Sequence, residues 1–255
     1  MLVSMVCIVV LFVILMNSIN KATTGQGSAV QGTVRSFEDQ MQMQSLMQAM
    51  IAGANDNRGR YLTPSDLTGT KDLGLNTTAN LTSAMVMNHY PTCHLLMSAN
   101  EYSPYVQEKT DYNYEAYNPG TKVMWDTSFV ADLSNISNTS YAHMPLCGER
   151  FEKYWRADFG GGFPIIRNRG PKNGVDDPDS YSYGRNRQWG GHIAFGDGHV
   201  IFTNAFDLPG LTVKNPQGQP VPDNVFNMET GPKGSDGILS FTKKVTKDNV
   251  EVQSD

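Results

Sequence analysis

The chain has 255 residues, of which 18% are charged, and its formal net charge is −5 at pH 7. That balance excludes the strongly basic surface on which nucleic-acid binding depends, so no nucleic-acid partner is expected. Few charges and 24 glycines are typical of a loop-rich, β-rich head displayed outside the cell. About 200 residues follow residue 53, which is enough for one head with its own core.

The first segment, residues 1–19, is apolar and its first sixteen residues carry no charge. Its length approaches the about 20 residues with which a helix crosses a bilayer. A secretory signal would need a basic stretch before it and a small-residue cleavage site after it, and the sequence offers neither. A permanent membrane anchor is a second interpretation. The third is a helix whose short basic leader has been removed, and which moves from the membrane into a protein assembly.

Residues 22–32 carry a weaker helical signal, because three glycines there each cost nearly 1 kcal/mol relative to alanine in a helix interior. A second helix is predicted over 28–53, with Gly53 as its stop. Its apolar residues Val30, Val34, Phe37 and Met41 repeat at spacings of four, three and four, which places them on one helical face.

This second helix has no charged residue between Asp39 and Asp56. Glutamine residues stand at positions where a surface helix usually has charged residues. Burying a glutamine does not carry the desolvation penalty of burying an ion. An ordinary helix packed on the head is one interpretation. The other is that one face packs on the head and the opposite face packs on sister subunits.

Strands and turns are predicted after the second helix. Asp197-Gly198 lies between alternating apolar residues, the strongest short-range signal of a hairpin, and both turn positions are expected to have positive φ. A hairpin is also predicted around Asn118. The segment 207–237 is rich in Gly and Pro and is predicted to be a long loop, and strands are predicted after it.

Two of the three cysteines, Cys93 and Cys147, lie in the polar head. An exported protein meets an oxidising compartment, which predicts a disulfide between them. Two buried free thiols are the alternative. Cys7 lies in the apolar segment and is interpreted as a small hydrophobic residue.

Four N-x-S/T sequons predict exposed loops that can carry glycans where the cell has the machinery. They begin at Asn76, Asn80, Asn135 and Asn138.

An acidic, turn-rich stretch contains Asp176, Asp177 and Asp179. Their oxygens are the hard ligands that calcium favours, so calcium is the one candidate cofactor, although an acidic surface turn explains the same residues. His192, Asp197 and His199 lie close together in the sequence and suggest a metal site with His94 or His143. No zinc-protease or nucleophile-elbow motif occurs, and no enzyme is predicted.

Tyrosines and a tryptophan between residues 112 and 125 form an aromatic group in the head. Its members are Tyr112, Tyr114, Tyr117 and Trp125. Packing in the core is the commoner use of such residues, and a glycan-binding surface is the alternative.

Two stretches resemble bacterial type IV pilin-like and pseudopilin proteins, in particular those of planctomycete-type bacteria. "QSLMQAMIAGANDNRGRYLTPSDL" (44–67) is similar to the end of their long helix. "RQWGGHIAFGDGHVIF" (187–202) is similar to the H-x9-DG prepilin-associated signature, with Asp197, Gly198, His199 and Val200 matching and Arg187 in place of the leading His.

The resemblance implies an α+β, pilin-like fold with a long N-terminal helix at about 1–53. Residues 1–27 would lie in the membrane before assembly and in the filament core afterwards, residues 28–53 would pack on the head, and 54–255 would form a β-sheet head. The residues expected to mediate assembly are Met1, Leu2, Val3, Met5, Val9, Leu11, Phe12, Leu15, Val30, Val34, Phe37 and Met41.

The partners implied by the resemblance are identical subunits in a helical filament, the inner-membrane assembly machinery and a prepilin peptidase that removes a leader and methylates the new N-terminus. The precursor would reside in the inner membrane, and the product would be an extracellular pilus or a periplasmic pseudopilus. Met5 departs from the Glu that is common in the family. The alternative function is a membrane-anchored glycan-binding module or enzyme whose exported head acts as a monomer.

Overall fold

The computed structural model describes residues 27–101, 103–171 and 189–253, with the side chains of residues 27–33 and of Pro209 excepted. Within those ranges the chain is a mixed α+β protein, in which one long helix accompanies antiparallel sheets. The predictions for the apolar segment 1–19, for the side chain of Val30 and for the acidic stretch 176–179 lie outside the described residues.

Helix α1 (Gly27–Asp56) is the longest element. It includes Gly27 and Gly32, so the described part of the stretch 22–32 is helical, because glycine lowers helix propensity without forbidding a helix. The predicted stop at Gly53 was wrong. The helix ends three residues later, where the N–H of Gly59 bonds to the Ala54 carbonyl at 2.8 Å and Gly59 itself has φ +78°.

Gly53 allows close packing instead. A Cβ at this position would lie 1.9 Å from the hydroxyl oxygen of Tyr90, so a larger residue would displace the Tyr90 ring. Two shorter helices follow, α2 (Pro64–Leu67) and α3 (Thr78–Met87). None of the helices among the described residues is both long and apolar enough to cross a bilayer.

A four-stranded antiparallel sheet, in the order β1-β2-β3-β4, lies against α1. Its strands are β1 (Tyr141–His143), β2 (Pro164–Asn168), β3 (Gly191–Phe195) and β4 (Val200–Thr203). Every residue of β1, β2 and β3 is buried. The strands therefore form the centre of the molecule, and β4 forms one edge of this sheet.

The hairpin predicted at Asp197-Gly198 is present and joins β3 to β4. Its turn differs from the predicted one. The Gly198 N–H bonds to the Phe195 carbonyl at 2.8 Å, and Gly198 has φ +88° whereas Asp197 does not have positive φ. This is a three-residue loop that ends in a left-handed glycine, so one residue of the pair, and not both, needs positive φ.

The segment 207–237 is not a continuous loop. It contains β5 (Asp207–Lys214) and β6 (Pro220–Asn224), which pair as an antiparallel hairpin. The predicted C-terminal strands are present as β7 (Phe241–Val245) and β8 (Val250–Gln253). Around Asn118 a short turn with one bridge, from Asn118 to Val123, replaces the predicted hairpin.

Candidate functional site: the two faces of helix α1

Helix α1 presents apolar residues on two opposite faces. The inner face packs in the main core, and its fully or almost fully buried residues are Met43, Leu46, Met47, Met50 and Ala54. The outer face is exposed to solvent, with Val34 at 60%, Phe37 at 64% and Met41 at 48% of their accessible surface. The predicted stripe of Val34, Phe37 and Met41 is therefore the outer face, not the face that packs on the head.

The outer face continues without charge toward the helix C-terminus. Ser45, Gln48 and Ala52 follow Met41 at helical spacing and are also exposed. Charged residues of the exposed helix surface lie at its two ends, with Arg35 and Glu38 near the N-terminus and Asp56 at the C-terminus. The outer face thus combines large apolar residues with small or neutral polar ones, a composition that can meet another helix without desolvating ions.

A buried carboxylate, Asp39, joins the inner face to three strands of the sheet. His192 Nδ1 on β3 lies 2.7 Å from Asp39 Oδ2. The Tyr141 hydroxyl on β1 donates to Oδ1 at 3.0 Å, and the Asn168 amide on β2 donates to Oδ2 at 3.0 Å. Asn168 also accepts from the backbone N–H of His192 at 2.6 Å, which completes the network.

The electrostatics of this network favour a charged Asp39. Burial raises the pKa of the Asp39 carboxyl, but hydrogen bonds from His192, Ser98 and Asn168 together with the charge of His192 outweigh burial, so the pKa lies below its ordinary value. A buried carboxylate without these donors would cost several kcal/mol. The network therefore fixes the rotation of α1, and that rotation directs Phe37 and Met41 to solvent.

One exposed aromatic residue of the edge strand β4 also lies near α1. Phe202 is exposed, and its ring contacts that of His192 edge-on at 5.2 Å between centroids. His192 Nε2 is in turn 3.5 Å from the Ser36 hydroxyl on α1. Phe202 accordingly lies beside the N-terminal half of α1. We call Val34, Phe37 and Met41 on α1 the outer apolar surface.

The predicted disulfide was wrong. Cys93 and Cys147 are both buried free thiols. Cys93 packs in the main core, whereas Cys147 packs with Val245 and Val250 in a separate small cluster. The two side chains therefore belong to different parts of the head, and apolar packing, not a cross-link, accounts for both.

The prediction of exposed sequons was wrong at two of the four positions. Asn76 and Asn138 are buried, and the side-chain oxygen of Asn76 accepts from the Ser65 N–H at 3.0 Å. Asn80 lies half-buried in α3, and Asn135 is exposed. Asn76 and Asn138 are therefore structural residues, since short polar side chains satisfy backbone groups in turns.

The histidines serve separate local roles. His199 pairs with Asp197 at 2.5 Å on the surface, and His94 pairs with Glu108 at 3.1 Å. His143 is buried against Thr78, and burial lowers its pKa to about 4. Across 27–101, 103–171 and 189–253, no three His, Cys, Asp or Glu side chains are placed to hold a metal.

The aromatic group between residues 112 and 125 divides between core and surface. Trp125 is buried and donates to Asn80 at 3.1 Å, and the half-buried Tyr112 donates to the Ser83 carbonyl at 2.6 Å. Tyr114 and Tyr117 are exposed.

Three buried ionic contacts among the described residues were not predicted from the sequence. The first is Asp39 with His192, the second is Glu101 with Arg169, and the third joins Arg150 to Asp236. Arg150 also donates to the Gly231 carbonyl at 3.0 Å and to the Pro232 carbonyl at 3.1 Å, so it closes the 230–236 turn. The available signal for Asp39 was its spacing of four and seven residues from Met43 and Leu46, which places a carboxylate on the apolar inner face.

Comparisons of the chain with protein-family models, with curated proteins and with solved structures give no match. The function is therefore inferred from the residues and their geometry.

Proposed function

We propose that this chain is a structural subunit of a type IV pilus-like or pseudopilus filament, and not an enzyme, and that it polymerises through its N-terminal helix. The observation that carries the proposal is the outer apolar surface. Phe37 and Met41 are large, apolar and exposed on a helix whose other face is already buried in the head. Soluble monomers rarely expose contiguous apolar patches of this kind unless a partner covers them.

The partner that fits best is another copy of the chain. Residues 1–16 are uncharged, and ten residues, with Lys21 as their one charge, separate them from α1 in the sequence. The outer face of α1 continues this lack of charge through Ser45, Gln48 and Ala52. A bundle of such helices buries apolar surface about as well as lipid does, so transfer from membrane to bundle costs little and packing decides the arrangement.

The route to the filament follows from the resemblance to pilin-like proteins. Under the proposal the precursor resides in the inner membrane, a prepilin peptidase processes it, and the assembly machinery extracts it. Met5 stands where the family commonly has Glu. Assembly of this chain is therefore proposed to depend on apolar packing rather than on an ion pair at the fifth residue.

The test is a charge placed on the outer face. We expect Phe37→Asp and Met41→Asp to abolish fibres, because each would bury an unpaired carboxylate between subunits. Fibres sheared from cells that produce the full chain would be pelleted, imaged by electron microscopy and identified by mass spectrometry. Tyr117→Asp is the matched control, since Tyr117 is also a half-exposed aromatic residue but belongs to the head and not to α1.

Normal fibres from Phe37→Asp and Met41→Asp would contradict the proposal. So would wild-type chain that is recovered only as a membrane-bound monomer, which is the outcome that the anchored glycan-binding module or enzyme predicts. Thermal unfolding in detergent checks that the variants are folded, and we expect both to unfold close to the wild-type temperature because neither side chain packs in the core.

A further inference from the structure

A cleft of about 530 Å³ opens on the head between the β5–β6 hairpin and the turn at 230–235. Its size lies within the range of small-molecule sites, about 300–1,000 Å³. One wall is strand β5, with Thr212 and Lys214, and the opposite wall carries three aromatic rings. None of the cleft-lining residues belongs to the outer apolar surface, so the cleft needs an explanation of its own.

The aromatic wall is rigid and partly open to solvent. Tyr154 stacks on Phe163 with centroids 4.0 Å apart and planes 2° from parallel. Phe159 meets Tyr154 edge-on at 4.7 Å and keeps 50% of its surface exposed. A ring that is held in place but not covered is a surface on which an apolar ligand face can stack without a large loss of side-chain entropy.

A buried carboxyl group, Asp223, also lines the cleft. Both of its oxygens accept from the N–H of Gly237, at 2.9 and 3.0 Å. A carboxylate has about four acceptor positions, so Asp223 retains capacity for a donor from a ligand. Burial, with a contribution from Asp236, raises the pKa of Asp223 to about 6, as expected for a desolvated carboxyl group short of donors.

The charges around the cleft balance. Two carboxylates, Glu149 and Asp223, line it together with two amines, Lys214 and Lys233. The remaining polar lining includes hydroxyl groups, among them that of Ser235. A balanced set of this kind favours a neutral ligand with many hydroxyl groups over an anion or a cation.

We propose that this cleft binds a neutral saccharide, with one sugar face stacked on Phe159 and a sugar hydroxyl donating to Asp223. The combination of an uncovered aromatic ring, a buried acceptor and surrounding hydroxyls matches a pyranose, which has an apolar C–H face and a polar rim. The proposal does not depend on polymerisation, since it needs only the folded head.

The test uses the full chain in detergent, applied to an array of neutral hexose and N-acetylhexosamine oligosaccharides, followed by calorimetric titration of the best ligand. Phe159→Ala should weaken binding about tenfold by removing the stacking surface. Asp223→Asn should also weaken it, because the amide presents a donor where the ligand needs an acceptor. Tyr117→Ala, which removes an aromatic ring of the same 50% exposure, should leave the affinity unchanged.

Three outcomes would overturn the proposal. The first is that the folded wild-type chain binds no saccharide on the array. The second is that Tyr117→Ala weakens binding while Phe159→Ala does not. That result would indicate that the saccharide binds at the exposed tyrosines and not in the cleft. The third is that an extended peptide, and no sugar, competes for the cleft along β5. Melting temperatures of the variants distinguish loss of binding from loss of fold.

Discussion

The inner and outer faces of α1 are built from similar residues yet have opposite environments. Met47 on the inner face is fully buried, whereas Met41 on the outer face is half exposed. Apolar character therefore does not decide which face meets the head. The difference is Asp39, whose carboxylate finds donors on β1, β2 and β3 and so fixes how the helix is rotated. A buried polar contact gives this packing its specificity, and apolar contacts give it affinity.

The largest expected effect comes from removing the partner of Asp39. His192→Ala would leave a fully buried carboxylate without its main donor and create a cavity. We expect the free energy of unfolding to fall by about 3–5 kcal/mol, the usual cost of breaking a buried pair. Urea denaturation of the full chain in detergent measures it.

His199→Ala is the control for that loss. It removes a histidine–carboxylate pair whose side chains are 45% and 46% exposed, against 1% and 0% for His192 and Asp39. We expect a change of about 1 kcal/mol or less, because exposed pairs are screened by water. Equal losses from the two alanine variants would mean that Asp39 does not fix the helix.

The second expected effect is a difference between removing a methionine from the inner face and removing one from the outer face. Met47→Ala should destabilise the monomer by about 2–5 kcal/mol, since it removes a fully buried side chain and leaves a cavity. Met41→Ala should change monomer stability by no more than about 0.5 kcal/mol. Chemical denaturation in detergent compares the pair, and similar losses would show that the outer face is also packed in the monomer.

The smallest expected effect comes from Asp223. Asp39 and Asp223 are both buried carboxyl groups, but the pKa of Asp39 is lowered and the pKa of Asp223 is raised. The pKa of Asp223 is raised to about 6 in the folded chain, above the ordinary value of about 3.9 expected when unfolded. Its contribution to stability is therefore full below about pH 4 and is lost as the pH rises through 6. Wild type should gain stability relative to Asp223→Asn between pH 7 and pH 5.

The free energy of unfolding of both proteins, measured at pH 5, 6 and 7, shows whether the stability difference grows as the pH falls. Both proteins carry Glu229→Gln, because burial raises the pKa of Glu229 to about 7 with a contribution from Asp223, so its titration would differ between the two. Taking the difference cancels the titration of groups that do not interact with Asp223. A difference that does not change with pH would mean that Asp223 is not desolvated in the folded chain.

The sequence predicted the elements that depend on local pattern. Helical spacing gave the second helix, whose actual end at Asp56 lies three residues past the predicted stop at Gly53. Alternation around Asp197-Gly198 predicted the β3–β4 hairpin. The hairpin within 207–237 was missed because Gly and Pro are common in it, although Pro220 and Pro222 are compatible with an edge strand such as β6.

Features that depend on distant contacts could not be predicted. The role of Asp39 requires residues more than 100 positions away, such as Tyr141 and His192. The thiols of Cys93 and Cys147 are separated because each packs in a different apolar cluster, which spacing along the chain does not reveal.

A cryo-EM reconstruction of the native fibre would show whether the outer face of α1 is a surface between subunits. We expect Val34, Phe37 and Met41 to contact a neighbouring copy and to be excluded from solvent. A fibre in which these three side chains remain exposed, with subunits joined through other surfaces, would contradict this expectation.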